Sequence, residues 1–334
     1  MKSPTDRIGV MHVTDTLSAG GAERVAVNVV NCLPRERYAP YLCTTRGDGP
    51  LEDLLEPDVQ RLSLKRQGRF DAHALWRLVR FIQTNRIDIL HAHQTSLFIA
   101  AAAALFPPYP KVIWHDHFGR FKLEVRPAFT YRQATRRIKG VIAVNPDLAD
   151  WSRRSLHVPA ERVWYVPNFA CAPEPGGAPP ELPGAAGGRI VCVANFRRQK
   201  DHLTLVRAMA RVADESPAAH LLLVGVLVDH SYVAEIQAEI AARGLAGRVT
   251  LLGERRDVGA LLRACDVGVL SSSSEGLPLA LVEYGLAGLP AVATDVGQCA
   301  EVLAEGRAGL LVPPGDPAVL AEALLTLLRS PERR

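Results

Sequence analysis

Residues 189–226 read RIVCVANFRRQKDHLTLVRAMARVADESPAAHLLLVGV, and their pattern decides the fold. An apolar, β-rich run (189–196) is followed by a charged loop holding Arg197, Arg198 and Lys200, then by a helical stretch, then by a second apolar run at 220–226. A short buried-type strand, a helix and another such strand form the unit that builds a parallel sheet. Downstream, RVTLLG, VGVLSS, PAVAT and AGLLVPP repeat the pattern, each with a helical stretch behind it. Upstream, strand-like runs recur at 8–13, 41–45, 59–64, 87–92, 111–115, 140–144 and 162–166, and 72–85 has helical apolar spacing. Between the halves, fourteen of the seventeen residues at 172–188 are Ala, Gly or Pro, a composition that reads as a linker or exposed insertion. The expected fold class is therefore α/β, with two Rossmann-like doubly wound domains, 1–170 and 189–334, joined by 171–188. Such sheets bind ligands beyond the carboxyl ends of their strands, so the two domains are expected to face each other across a cleft that holds the chemistry.

Composition narrows the function. A chain of 334 residues, 48% of them hydrophobic, has ample core for two domains. No apolar run approaches a membrane span and the first residues hold no signal-peptide core, so a cytoplasmic protein is expected. The six cysteines follow no metal or disulfide spacing and are expected to be reduced packing residues. Residues 1–170 hold 24 Lys and Arg against 16 Asp and Glu, and residues 171–334 hold 15 against 19, giving +8 and −4. The basic charge is densest at 111–140, with eight cations, two acids and interleaved aromatics. That segment suggests contact with an anionic acceptor or the anionic inner face of a membrane. With no nucleic-acid-binding module beside it, a nucleic-acid partner is not expected.

The predicted strand ends carry the unusual residues. Gly20 and Gly21 open a helix whose amides are free to approach a phosphate or sugar, without the GxGxxG of a dinucleotide fold. His91 and His93, and His115 and His117, form two HxH pairs; alternate strand residues share a face, yet no third or fourth metal ligand stands out, so a strand-end histidine facing the cleft is preferred to a metal site. Arg197, Arg198 and Lys200 stand where cations could neutralise a diphosphate. In SSSSEGLPLALVEYGLAG (271–288), Pro278 suits a first helical turn, placing Glu275 in the preceding loop and Glu283 inside a helix among Leu277, Leu279, Leu281, Val282 and Leu286. An unpaired carboxylate buried there would cost several kcal/mol, roughly, so Glu283 needs a partner. The amides of Gly276 and Leu277 offer a further anion site.

Together these segments resemble the retaining GT-B glycosyltransferases of family 4. The resemblance rests on GGAERV (20–25), DILHAHQ (88–94), VIWHDH (112–117), VPN (166–168), VANFRRQKD (193–201), EGLPLALVE (275–283), ATDVGQCAEV (293–302) and LVPPGD (311–316). It implies a nucleoside-diphosphate sugar held by the second domain and a hydroxyl acceptor (glycan, lipid-linked or small molecule) held mainly by the first. By this analogy Glu283 accepts from the ribose hydroxyls, and Glu275 with Gly276 and Leu277 contacts the transferred sugar and diphosphate. Arg197 and Lys200 stabilise the departing diphosphate, His115 lies near the donor sugar, and Gly20 and Gly21 let phosphate and acceptor approach. No metal or other cofactor is implied. Arg255 and Arg256 are placed near the base. Three departures stand out: Asn195 replaces a frequent Arg, Gln298 replaces a second glycine, and LLRSPERR ends the sequence where relatives usually continue into a crossover helix. That last departure motivates an alternative, a catalytically weak binding or scaffold protein on the same fold.

Overall fold

A computed structural model of the chain describes residues 7–18, 20–118, 126–170, 180–255 and 257–330. It divides into two compact units, Met1–Asn168 and Phe169–Arg334. In the first, the elements run β1 (Ile8–Thr14), α1 (Gly21–Asn31), β2 (Tyr38–Thr44), β3 (Gln60–Ser63), α2 (Ala72–Asn85), β4 (Ile87–His93), α3 (Leu97–Ala103), β5 (Lys111–Asp116), α4 (Ala128–Thr135), β6 (Gly140–Ala143), α5 (Pro146–Arg154) and β7 (Val163–Tyr165). The second continues with β8 (Arg189–Val193), α6 (His202–Glu215), β9 (His220–Val224), α7 (His230–Ala242), β10 (Val249–Gly253), α8 (Val258–Arg263), β11 (Val267–Leu270), α9 (Leu279–Leu286), β12 (Ala291–Thr294), α10 (Cys299–Val302), β13 (Leu310–Val312) and α11 (Pro317–Arg329).

The first sheet has seven strands in the order β3-β2-β1-β4-β5-β6-β7 and the second six in the order β10-β9-β8-β11-β12-β13, all pairings parallel. Each sheet reverses direction once, between β1 and β4 and between β8 and β11. At such a reversal the two flanking strand-to-helix loops diverge and leave a crevice. Apolar clusters cover both faces of each sheet: Leu78, Ile82 and Trp114 belong to one cluster of the first unit and Leu17, Val27 and Leu42 to another. In the second unit Met209, Leu223 and Leu324 lie on one face, and Leu222, Leu281 and Tyr284 on the other. Strands buried on both faces must be apolar throughout, which is why they read as continuous apolar runs rather than alternating ones.

Short polar residues start the helices. Asp71, Asn145, Asp229 and Asp316 each accept an amide hydrogen bond at a helix start, and Pro146 and Pro317 occupy first-turn positions where no N–H is needed. The Ala/Gly/Pro-rich segment is not uniformly a linker. Its residues 171–179 lie outside the described ones, whereas Leu182 packs on a core cluster and the Arg189 guanidinium donates to the carbonyls of Leu182 and Gly184 at 3.2 and 3.0 Å. Cys32, Cys43, Cys192, Cys265 and Cys299 are free thiols. Among the described residues no helix is long and apolar enough to cross a membrane.

Candidate active site

In the second unit the two loops flanking the sheet reversal are tied together by side chains. After β8 the chain makes a 3-10 turn over Arg198–Lys200; after β11 it runs through the serine-rich segment to α9. Lys200 Nζ donates to Glu275 Oε1 at 2.5 Å, and Ser272 Oγ donates to the same oxygen at 2.5 Å. Ser271 Oγ donates to the Lys200 carbonyl at 3.0 Å, and the Ser273 amide to that of Gln199 at 2.8 Å. The Glu275 side chain is 7% exposed and that of Lys200 is 20% exposed, so the pair is largely withdrawn from water while still reachable. A third loop closes on this one: the Gln298 amide donates to the Gly276 carbonyl at 3.0 Å. Gly297 there has φ +58°, and a Cβ on it would lie 2.2 Å from the Glu275 carbonyl oxygen, so only glycine fits.

The structure separates cations that the sequence groups together. Arg198 pairs with Glu235 at 2.5 Å and lies 5.3 Å from the centre of the Tyr232 ring, whereas Arg197 is exposed at the start of the 3-10 turn. Asn195 Oδ1 accepts from the Val226 amide at 3.1 Å. Arg255 forms a two-pronged pair with Asp257 at 2.6 and 2.8 Å, and Arg256 lies outside the described residues. Helix α9 begins directly after Pro278 and carries Glu283 at its fifth position, as the proline implies. The apolar shell expected around that glutamate is thinner than the sequence suggests: Leu281 is buried, but Leu286 is 45% exposed and Glu283 itself is half-buried. The helix is anchored by Tyr284, which sequence reading does not single out. Its ring is fully buried, its hydroxyl accepts from the Val193 amide at 2.8 Å, and a Cβ on Gly268 would lie 2.5 Å from it. Tyr284 therefore locks α9 onto β8 and β11 and fixes the height of the adjacent Glu283.

In the first unit Gly20 caps α1, which starts at Gly21. His115 is buried one residue before the end of β5, and it is not a lone strand-end histidine. The strand register sets His12 of β1 beside His91 of β4, and His93 of β4 beside His115 of β5. The result is a cluster of five: His12 Nδ1 lies 3.0 Å from His93 Nε2, His93 Nδ1 3.0 Å from His117 Nε2, His91 Nε2 3.2 Å from His115 Nδ1, and His117 Nδ1 3.2 Å from Asn168 Oδ1. The two HxH pairs are thus joined by a third histidine that sequence spacing does not single out, His12, from a distant strand. Burial disfavours the charged imidazolium, holding His91 down to about 4 and His117 to about 3, with His12, His93 and His115 also far below the ordinary range for the same reason. All five are neutral at pH 7. The Nε2 atoms of His12 and His115 are buried without a hydrogen-bond partner among the described residues, each costing about 1–3 kcal/mol if nothing else satisfies it.

Two family descriptions match this chain, one to each half. Glycosyltransferase Family 4 covers residues 19–170 and Glycosyl transferases group 1 covers residues 187–330. The chain belongs to the family 4, group 1 glycosyltransferases. Over 89% of this chain and 81% of the relative it is 25% identical to the UDP-Gal:alpha-D-GlcNAc-diphosphoundecaprenol alpha-1,3-galactosyltransferase of Escherichia coli. It is 28% identical to the phosphatidyl-myo-inositol mannosyltransferase of Mycobacterium leprae, over 76% of this chain and 67% of the relative. Among solved structures, Anabaena HepE in complex with UDP and glucose shares 21% identity and a TM-score of 0.79, covering 98% of this chain and 91% of that one. The α/β units are those of the GT-B fold.

Proposed function

We propose that this glycosyltransferase moves a hexose from a nucleoside-diphosphate sugar to a hydroxyl acceptor, with retention at the anomeric carbon and no catalytic metal. The observation that carries the reading is the Lys200–Glu275 pair at the reversal of the second sheet, backed by Glu283 on the helix that leaves the same loop. HepE, bound to UDP and glucose, and the relative named for UDP-Gal support the donor class. As the glycosidic bond breaks, negative charge grows on the leaving diphosphate, and Lys200, assisted by Arg197, stabilises it electrostatically. Glu275, with the Gly276 and Leu277 amides, orients the sugar and diphosphate; Glu283 accepts from the ribose hydroxyls. His115 lies toward the sugar, and Gly20 and Gly21 leave room for phosphate and acceptor. The leaving phosphate takes the acceptor proton on the same face of the sugar, which gives retention. Replacing Glu283 by Gln removes a charge-assisted bond of roughly 1.5–3 kcal/mol, or about 10- to 150-fold in kcat/KM. Steady-state kinetics on folded Glu283→Gln with unchanged kcat/KM would refute the ribose role.

We further propose a peripheral, reversible contact of the first unit with anionic lipid at the inner face of a membrane, which suits a lipid-linked acceptor. Among the described cations of the basic segment, Arg126 is taken up by buried Asp116 at 2.7 Å and Arg132 by the Ser155 carbonyl at 2.7 Å. Lys111, Arg136, Arg137 and Lys139 remain exposed, and Arg136 and Arg137 border a groove of about 450 Å³ between α3 and α4 with Phe98 and Leu105. Phe106 and Phe129, on the same part of the chain, are 44% and 71% exposed. Each basic side chain near an anionic surface contributes about 1 kcal/mol, so Arg136→Glu with Arg137→Glu should weaken binding to anionic vesicles by well over tenfold. Equal sedimentation with neutral and anionic vesicles in low salt would rule the contact out.

A further inference from the structure

The five-histidine cluster is larger than a sugar site needs, and its hydrogen bonds have a direction. Asn168 presents its carbonyl oxygen to His117 Nδ1, so that nitrogen carries the hydrogen and His117 Nε2 is a lone pair. His93 must then donate from Nδ1, which leaves His93 Nε2 as a lone pair facing His12. The relay thus ends on an acceptor nitrogen of His93 and on the buried, unpartnered Nε2 of His12. One nitrogen each from His12, His91 and His93 lies within 4.8 Å of the others.

We propose that His12, His91 and His93 are the ligands of a divalent transition-metal ion, with zinc the first candidate. Tetrahedral zinc at about 2.0–2.1 Å from each imidazole nitrogen requires ligand atoms roughly 3.3 Å apart. The 3.0 Å between His12 Nδ1 and His93 Nε2 needs only a small spreading of the rings to reach that spacing, with the His12 hydrogen carried on its unpartnered Nε2 so that both facing nitrogens are lone pairs. Three neutral imidazoles and an open fourth position for water form a recognised zinc donor set. Without a carboxylate among them, the ligands favour zinc, copper or nickel and disfavour magnesium.

The surrounding histidines single out this triplet over the alternative, His93 with His115 and His117. A metal-bound imidazole normally donates its second nitrogen to an outer partner, which fixes its tautomer. His93 donates from Nδ1 to His117, itself oriented by Asn168, and His91 has His115 facing its Nε2 at 3.2 Å. Two of the inner three, His93 and His91, therefore already have an outer partner in place, and His12 keeps its Nε2 for one. Asp116, between His115 and His117 in the sequence, is committed to Arg126 and supplies no ligand. The site belongs to the first unit alone and does not depend on the transfer reaction proposed above.

The test uses the full chain without an affinity tag, stripped with chelator and titrated calorimetrically near neutral pH. The expected result is one zinc ion per chain with submicromolar affinity, no heat from magnesium chloride, and at least tenfold weaker zinc binding in His12→Gln and His91→Gln. Absence of zinc binding, or binding untouched by His12→Gln, overturns the proposal. If those variants fail to fold, X-ray absorption at the zinc edge of the wild-type chain decides: three imidazoles in the first shell uphold the site, and a sulfur scatterer or fewer imidazoles overturns it.

Discussion

Acidification from pH 7 to about 5.5 is expected to remove several kcal/mol from the stability of this protein, and to unfold the first unit before the second. His91, His117 and His202 are buried, and burial holds their imidazoles to about 4, about 3 and about 4. For a histidine whose folded pKa lies below its unfolded value, the unfolded chain takes up the proton first. Its stabilising contribution is therefore whole above the unfolded pKa of about 6.5 and is lost as pH falls towards the folded pKa. In that window each such histidine removes up to about 1.4 kcal/mol per pH unit, so these three alone account for about 4 kcal/mol between pH 7 and 5.5. His12, His93 and His115 shift in the same direction and add to the loss, against a total stability of about 5–15 kcal/mol for a typical domain.

All of the cluster lies in the first unit, and so do Trp76, Trp114, Trp151 and Trp164, which are all the tryptophans in the chain. Tryptophan fluorescence therefore reports on the unit that carries five of the six histidines. Urea titrations followed by fluorescence, in the presence of chelator, should show the midpoint falling steeply below pH 6.5. A midpoint that stays constant from pH 7.5 to about 5.5 would mean that these imidazoles are not neutral in the folded protein.

What the sequence made legible follows from which interactions are local. Helix 72–85 coincides with α2 because its apolar spacing and the cap at Asp71 lie within a single turn or two of one another. Every run read as a strand is one, with ends displaced by at most three residues, and the central strands are the plainest because burial on both faces leaves an unbroken apolar signature. Pro278 likewise fixed the start of α9, and with it the loop position of Glu275 and the helical position of Glu283. The contacts between distant segments were hidden. His12 is a single histidine in the run IGVMHV, and only its register against β4, 79 residues away, makes it a neighbour of His91. Tyr284 reads as one more apolar residue until its hydroxyl meets Val193. Arg198 and Lys200 are equivalent in a charged loop, and the 3-10 turn sends one to Glu235 and the other to Glu275. Partner choice at that turn is a matter of tertiary geometry, which spacing alone does not encode.

Replacing Lys200 by alanine should lower kcat by about 10²–10³-fold, the usual cost of removing one preorganised donor from developing negative charge. Because that interaction strengthens as the leaving group departs, kcat and kcat/KM should fall together, with KM nearly unchanged. The substitution has a second consequence that must be separated from the first. Glu275 is 7% exposed, and without Lys200 its carboxylate keeps only the Ser272 hydroxyl on Oε1 among the bonds described above. A buried charge that loses its partner is strongly destabilising, whereas removing both charges together is far milder. The Lys200→Ala, Glu275→Gln double variant should therefore recover most of the lost thermal stability, and its departure from additivity measures the pair. Activity should not recover with it, since no cation then faces the diphosphate from position 200. If instead the double variant regains both, or if Lys200→Ala alone keeps more than about a third of the wild-type kcat, Lys200 is a brace between two loops and the charge on the leaving group is met elsewhere.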